Sequence, residues 1–228
     1  HNGFKMVMGG HSFFGDDISA LGEQSRAGMA RRSGGMVRHE NIQPAYIDRL
    51  AARARASGLS VGWDCGNGAS GPVTEALVSR LDGTHKVMFP EIDGTFPNHH
   101  PNPVDPETLD LLRDAVAGAG ADLGIGFDGD GDRIGVIDAT GRQVPGDFLT
   151  AYLAQDIAAR HVGAPIILDV KSSEAALRLI GESGGAAQIW KTGHSHMKRR
   201  MKEIDAPLAG EMSGHIFIAD GYLGFDDA

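Results

Sequence analysis

The sequence predicts an α/β protein built from two consecutive series of strands and helices. Residues 39–143 and 146–215 each alternate short apolar, strand-like runs with segments whose apolar positions recur at helical spacing. Glycine accounts for 33 of the 228 residues, so turns are many and strands short. Helix-start chemistry is clearest at Asp105-Pro106, a side-chain cap followed by a proline at the first helical position.

The opening Asn2-Gly3-Phe4-Lys5-Met6-Val7-Met8 reads as a strand with no domain before it. In the first series a helix is expected over Pro44–Ser57, with Tyr46, Ile47, Leu50, Ala51 and Ala54 on its apolar stripe, leading into a strand Leu59–Asp64. Pro72–Leu81 reads as a helix and His85–Phe89 as a strand, and Asp105-Pro106 opens a helix that runs through Val116. Strands Leu123–Phe127 and Ile134–Ile137 then flank an acidic turn. The second series is helix Asp147–Arg160, strand Ile166–Val170, helix Ser172–Ile180, strand Ala187–Trp190, helix Ser195–Ile204 and strand Pro207–Ala209. A boundary is placed near Val144-Pro145-Gly146, and no internal repeat is evident. Asp226-Asp227-Ala228 stops without a finishing element, so the chain is expected to be an excerpt of a longer one.

Composition narrows the function. With 41% hydrophobic and 22% charged residues the chain reads as an ordinary soluble protein, and a formal charge of −9 argues against nonspecific nucleic-acid binding. The basic run Lys198-Arg199-Arg200-Met201-Lys202 is expected to be a solvated helix face. One cysteine, Cys65, excludes an internal disulfide and fits a reducing compartment. No apolar run approaches membrane-spanning length and no signal peptide opens the chain, so no membrane partner and a cytoplasmic location are expected.

The chemistry concentrates in Gly126-Phe127-Asp128-Gly129-Asp130-Gly131-Asp132-Arg133. Three carboxylates two residues apart repel unless a cation joins them, and the glycines let the backbone aim them at one point. Hard oxygen ligands suit Mg²⁺, Ca²⁺ or Mn²⁺. The helix-loop-helix calcium site needs Gly at its sixth position and Glu at its twelfth, where Arg133 and Ala139 stand here. An arginine beside the metal points instead to a shared phosphate. Against this stands a plain acidic turn, since Asp-Gly is also a hairpin dipeptide.

Cys65-Gly66-Asn67-Gly68-Ala69-Ser70-Gly71 contains G-x-G-x-x-G between a strand and a helix, with Glu91 20 residues past Gly71. That is the layout of a dinucleotide-binding turn, and it supports a nicotinamide-dependent oxidoreductase as a remote alternative; the plainer reading is a tight turn. Phe96-Pro97-Asn98-His99-His100-Pro101-Asn102-Pro103 reads as a stiff structural or interface loop rather than a zinc site. Lys191-Thr192-Gly193-His194-Ser195-His196 lies between a strand and a helix, where α/β proteins bind anionic ligands. In Gly210-Glu211-Met212-Ser213-Gly214-His215, Glu211 and Ser213 alternate on one side, and a carboxylate there suits vicinal sugar hydroxyls.

NGFK (2–5), DGDGDR (128–133), KTGHS (191–195) and GEMSGH (210–215), in that order, resemble the α-D-phosphohexomutases, specifically their bacterial phosphomannomutase/phosphoglucomutase group; FPNHHPNP and the terminal GFDD fit it too. The resemblance implies mixed-sheet α/β domains within a four-domain architecture: residues 1–38 ending the first domain, 39–143 forming the second and 144–228 most of the third. It implies interconversion of hexose 1- and 6-phosphates of mannose and glucose through a phosphoserine and a bisphosphate. Asp128, Asp130 and Asp132 match the Mg²⁺ loop, with Arg133 beside it, Lys5 a candidate acid/base and His215 in the catalytic set. Lys191, Gly193, His194, Glu211 and Ser213 match substrate-binding positions. Hexose 1,6-bisphosphate is the implied activator and intermediate, hexose phosphates the partners, and the expected state a monomer or weak dimer. The TASHNP-like segment that carries the family's phosphorylated serine is not in this sequence, so the chain by itself is expected to be inactive. A phosphoglucosamine mutase is the nearby alternative, against which Met212 in place of glutamine speaks, and a noncatalytic sugar-phosphate-binding module is the contrasting class.

Overall fold

A computed structural model describes residues 4–30, 33–55 and 58–226. The chain starts with a two-stranded antiparallel ribbon, β1 (Met6–Met8) and β2 (His11–Phe13), followed by helix α1 (Asp16–Ala27), none of whose residues is buried. The expected opening strand is therefore the shorter β1; Asn2 and Gly3 lie outside the described residues.

Helix α2 (Gln43–Ala51), β3 (Ser60–Asp64), α3 (Gly71–Val78), β4 (Thr84–Met88), α4 (Asp110–Ala119), β5 (Leu123–Phe127), β6 (Ile134–Asp138) and β7 (Gln143–Val144) form the first α/β unit. Its sheet runs β4-β3-β5-β6-β7, with β4, β3 and β5 parallel and the last two antiparallel. Gly62 and Gly124 leave room for Leu112 and Val116, which let α4 lie close on the sheet. Two expectations shift here. The helix expected to Ser57 ends at Ala51, after which the Arg53 and Ala54 N–H groups donate only three residues back, to the Leu50 and Ala51 carbonyls, both at 3.1 Å. The Arg53 guanidinium donates to the Gly221 and Asp220 carbonyls at 2.6 and 3.2 Å; Ala56 and Ser57 lie outside the described residues. The helix opened by Asp105 begins as a 3-10 turn (Pro106–Leu109), with the Asp105 carboxylate accepting from Glu107 N–H at 3.2 Å, before α4 takes over.

The second unit comprises α5 (Gly146–Arg160), β8 (Pro165–Asp169), α6 (Glu174–Glu182), β9 (Ala186–Trp190), α7 (His194–Ile204), β10 (Leu208–Gly210) and β11 (Ile216–Ile218). Its sheet runs β11-β10-β8-β9, parallel except for β11. Ile166 and Leu168 face α5 and α6 in one core, while Ile167, Ala209 and Phe217 face Met197 and Met201 of α7 in another, so the central strands carry apolar residues on both faces.

The basic run on α7 is only in part the solvated face expected of it: Arg199 and Lys202 are exposed, while Lys198 and Arg200 are half-buried. Lys198 pairs with Asp226 at 2.8 Å, Arg199 lies over Phe14 at 4.7 Å and Arg200 over Trp190 at 4.5 Å, while Lys202 donates to the Gly10 carbonyl. With β11, the 219–226 loop and the β1–β2 ribbon all packing nearby, each cation has something to cover. Among the described residues no helix is long and apolar enough to cross a membrane.

Candidate active site

The loops after the parallel strands β5, β9 and β10, at their carboxyl ends, carry the candidate residues other than Lys5. In the loop after β5, Asp128 is the organiser. Its Oδ1 accepts N–H bonds from Gly131, Asp132 and Arg133 at 3.0, 3.0 and 3.1 Å, and its Oδ2 accepts Arg133 Nε at 2.7 Å. Gly131 takes φ 75°, which a side chain would resist. One oxygen from each of Asp128, Asp130 and Asp132 lies within 4.8 Å of the others. Burial, and then the charges of Asp132 and Asp128, push the Asp130 carboxyl above its ordinary value, as expected where negative charges crowd without a cation. Three hard oxygens so disposed fit a divalent ion such as Mg²⁺. Arg133 is committed to Asp128 along its Nε edge, with Nη1 3.5 Å from Asn102 Oδ1.

Lys5 crosses to this loop from the start of the chain. Its Nζ pairs with Asp132 and lies 3.9 Å from Asp226 Oδ2. Burial opposes its charge, but the carboxylates of Asp132, Asp226 and Asp130 outweigh it and hold Lys5 above the usual lysine value. His215 brings the second unit to the same point: Nδ1 is 3.0 Å from Asp226 Oδ2 and 3.8 Å from Asp132 Oδ1. The 3.0 Å contact is an ion pair rather than an aligned hydrogen bond. Burial works against the His215 charge, and Asp226 and Asp132 overcome it, raising the imidazole above its ordinary value. His194, whose ring stacks on His215 with centroids 6.3 Å apart, moves the other way: burial and the Lys198 ammonium lower it. The two neighbouring imidazoles are thus shifted in opposite directions.

Glu211 is 2% exposed and ties two loops together, its Oε1 accepting Gly193 N–H at 2.7 Å and its Oε2 the Ser213 hydroxyl at 3.0 Å. Gly193 opens α7 with φ 120°. Behind them the fully buried Asp169 accepts from the Ser172 and Thr192 hydroxyls, both at 2.9 Å, and from Met212 N–H at 3.4 Å. Lys191 is exposed at the rim. The aspartate loop and the Glu211 loop are joined by their backbones: Ile134 N–H donates to the Gly214 carbonyl at 3.0 Å, and a Cβ on Gly214 would meet the Ile134 carbonyl at 2.6 Å.

Two charged residues escaped the sequence reading. Asp226, 4% exposed, collects His215, Lys198 and Lys5, and those partners hold its carboxyl well below the usual range despite burial. Its signal was the terminal GFDD, noted without a role; Lys198 was hidden in the basic run. The glycine signature of 66–71 has a packing explanation. A Cβ on Gly68 would meet the Gly129 carbonyl at 2.8 Å, one on Gly71 the Pro90 carbonyl at 1.9 Å and one on Gly66 the Pro101 side chain at 2.9 Å. Protein, not a dinucleotide, occupies the close approaches that these glycines permit.

Comparison with known proteins decides the relationship. Models of the phosphoglucomutase/phosphomannomutase α/β/α domain II and domain III match residues 44–141 and 145–228. The chain belongs to the phosphoglucomutase/phosphomannomutase family. Family members named phosphomannomutase/phosphoglucomutase from Pseudomonas putida and Pseudomonas aeruginosa are 44% and 42% identical over all of this chain and 49% of their own length. A crystal structure of a phosphoglucomutase/phosphomannomutase family protein from Burkholderia thailandensis superposes with a TM-score of 0.93 at 38% identity, covering 98% of this chain and 49% of that one. The chain therefore spans about half the length of the family members it matches.

Proposed function

We propose that this chain carries the metal-binding and sugar-binding halves of a phosphohexomutase that interconverts the 1- and 6-phosphates of mannose and glucose. The observation that supports it most is convergence. Lys5, Asp132, His215 and Asp226 come from four separate stretches and both α/β units, yet form one ion-paired cluster beside the Asp128–Asp132 carboxylates. We read residues 1–38 as the end of a first domain, 39–143 as a second and 144–228 as most of a third; the domain matches support this, although β7 places Val144 in the first unit's sheet.

Phosphoryl transfer passes through a loose, anionic transition state, so the protein's task is positioning and charge neutralisation. Mg²⁺ held by Asp128, Asp130 and Asp132 would neutralise phosphoryl oxygens. The protein groups do the rest. Lys5, raised and charged, is fitted to donate a proton and stabilise anionic oxygen rather than to accept a proton in this state. The Asp226 and Asp132 carboxylates favour a second positive charge on His215 beside it, while burial and the Lys198 ammonium favour the neutral form of His194, which offers hydrogen bonds without adding repulsion. Glu211 and Ser213 would receive sugar hydroxyls common to glucose and mannose, with Lys191 and the Gly193 loop facing phosphate. The phosphoryl donor is a serine, as the family resemblance implies, with hexose 1,6-bisphosphate as intermediate.

The test is a coupled assay of the whole protein with glucose 1-phosphate or mannose 1-phosphate, Mg²⁺ and catalytic bisphosphate. Turnover of both sugars is expected. Binding of hexose phosphate without turnover would replace the mutase with a noncatalytic binding module.

A further inference from the structure

The loop after β4 carries Phe96-Pro97-Asn98-His99-His100-Pro101-Asn102-Pro103, which the function above leaves unused. His99 reaches from it to the end of β3. Its Nε2 lies 2.9 and 3.1 Å from the two carboxylate oxygens of Asp64, and its Nδ1 lies 3.1 Å from the His100 carbonyl oxygen. Both ring nitrogens face acceptors, and a neutral imidazole has only one N–H to give, so the pattern is that of an imidazolium. Asp64 is 1% exposed, and its other bond comes from Gly66 N–H at 2.9 Å. Burying a carboxylate this deeply is costly unless it is paired and hydrogen-bonded, and His99 and the Gly66 N–H supply those partners. Phe89, just past β4, meets the His99 ring edge-on at 5.7 Å, and Gly66 packs against it; from these surroundings Asp64 is the charged group that faces the ring.

The same loop holds the aspartate loop from two sides. Asn98 Nδ2 donates to Asn67 Oδ1 at 2.7 Å; Asn67 leads into Gly68, pressed against the Asp128 and Gly129 carbonyls, and Ala69 N–H donates to Gly129 O at 3.0 Å. On the other side a Cβ on Gly135 would strike the Pro103 carbonyl at 2.2 Å, and Arg133 Nη1 faces Asn102 Oδ1. We propose that His99, clasped as an imidazolium by Asp64, is a positioning residue. It pins the 96–103 loop to the 64–69 turn and so sets where the Asp128–Arg133 loop presents its carboxylates to a divalent cation. This rests on the reading of those aspartates as metal ligands and adds a pH dependence to it. The Asp64 hydrogen bond outweighs burial and holds His99 above its ordinary value. A histidine raised in this way contributes fully below about 6.5 and loses its contribution as pH rises through its folded value. The clasp is therefore closed below about 6.5 and loosens as pH rises through the raised folded value of His99.

An NMR titration of the full chain from about pH 6 to about pH 9, a window bracketing the histidine range, together with calorimetric Mg²⁺ binding, tests this without any sugar phosphate. His99 should titrate above about 6.5, and the Ala69 amide, which has no bond to the ring, should follow the same midpoint. His99→Gln and Asp64→Asn should each weaken Mg²⁺ binding, on the order of tenfold as for loss of a ligand-orienting group, and remove the step at that midpoint from the affinity profile. A ring titrating at or below its ordinary value, an indifferent Ala69 amide, or wild-type Mg²⁺ affinity in His99→Gln overturns the proposal. Should His99→Gln fail to fold, the wild-type titration and Asp64→Asn still decide. Absence of Mg²⁺ binding by the wild type would instead overturn the metal reading itself.

Discussion

Asp128 uses both of its oxygens inside its own loop, three amide hydrogens on one and Arg133 on the other, which leaves Asp130 and Asp132 as the carboxylates most responsive to charge. Asp132 already has Lys5; the charges of Asp132 and Asp128 weigh on Asp130 more than the Lys5 ammonium relieves it. Asp130→Asn removes repulsion while keeping shape, so thermal stability without metal should hold or rise, while Mg²⁺ affinity should fall on the order of tenfold. Isothermal titration beside thermal melts makes the comparison, and equal Mg²⁺ binding by both proteins would return the loop to an ordinary acidic turn. Glu211 is a different case, a buried carboxylate engaged on both oxygens. Glu211→Gln should lose about 1.5–3 kcal/mol of charge-assisted hydrogen bonding and lower kcat/KM for glucose and mannose phosphates by the same factor. A tenfold difference between the epimers would show that the residue reads the C2 configuration instead.

Elements that announce themselves locally were legible. The apolar runs before Asp64, Phe127 and Asp169 became central parallel strands, and the Asp105-Pro106 cap opened its helical segment where expected. Short elements that depend on partners were not. Ile216-Phe217-Ile218 is a strand because β10 lies beside it, and Gln143-Val144 because β6 does. The candidate site divides the same way. Asp128, Asp130 and Asp132 converge through a local turn, whereas Asp226 and Lys198 matter only because the fold carries the 219–226 loop onto α7. Gly214, an unremarked letter in GEMSGH, proves to be the position where the Glu211 loop touches the aspartate loop. With φ 91° and a backbone oxygen 2.6 Å from where a Cβ would stand, Gly214→Ala should cost about 1–3 kcal/mol. A melting temperature unchanged from wild type would show that this approach is not needed.

At the scale of the whole molecule, two independently cored α/β units meet through a few directed contacts. These include Arg53 on the carbonyls of Gly221 and Asp220, while within the second unit Arg160 holds the Asp220 carboxylate at 2.6 Å. The chain around Gly221 leads directly to Asp226, so Arg53→Ala should loosen that loop; hydrogen exchange across 219–226 should quicken while β8 stays protected. Unchanged exchange would show that Arg53 does not hold it. The bond from Ile134 to Gly214 has a consequence of another kind. Where two ligand loops share a backbone hydrogen bond, ordering one by its ligand favours the ordered state of the other, and thermodynamic linkage makes the effect reciprocal. Whatever factor a hexose phosphate adds to Mg²⁺ affinity, Mg²⁺ must return to the hexose phosphate, and replacing Gly214 should shrink both factors together.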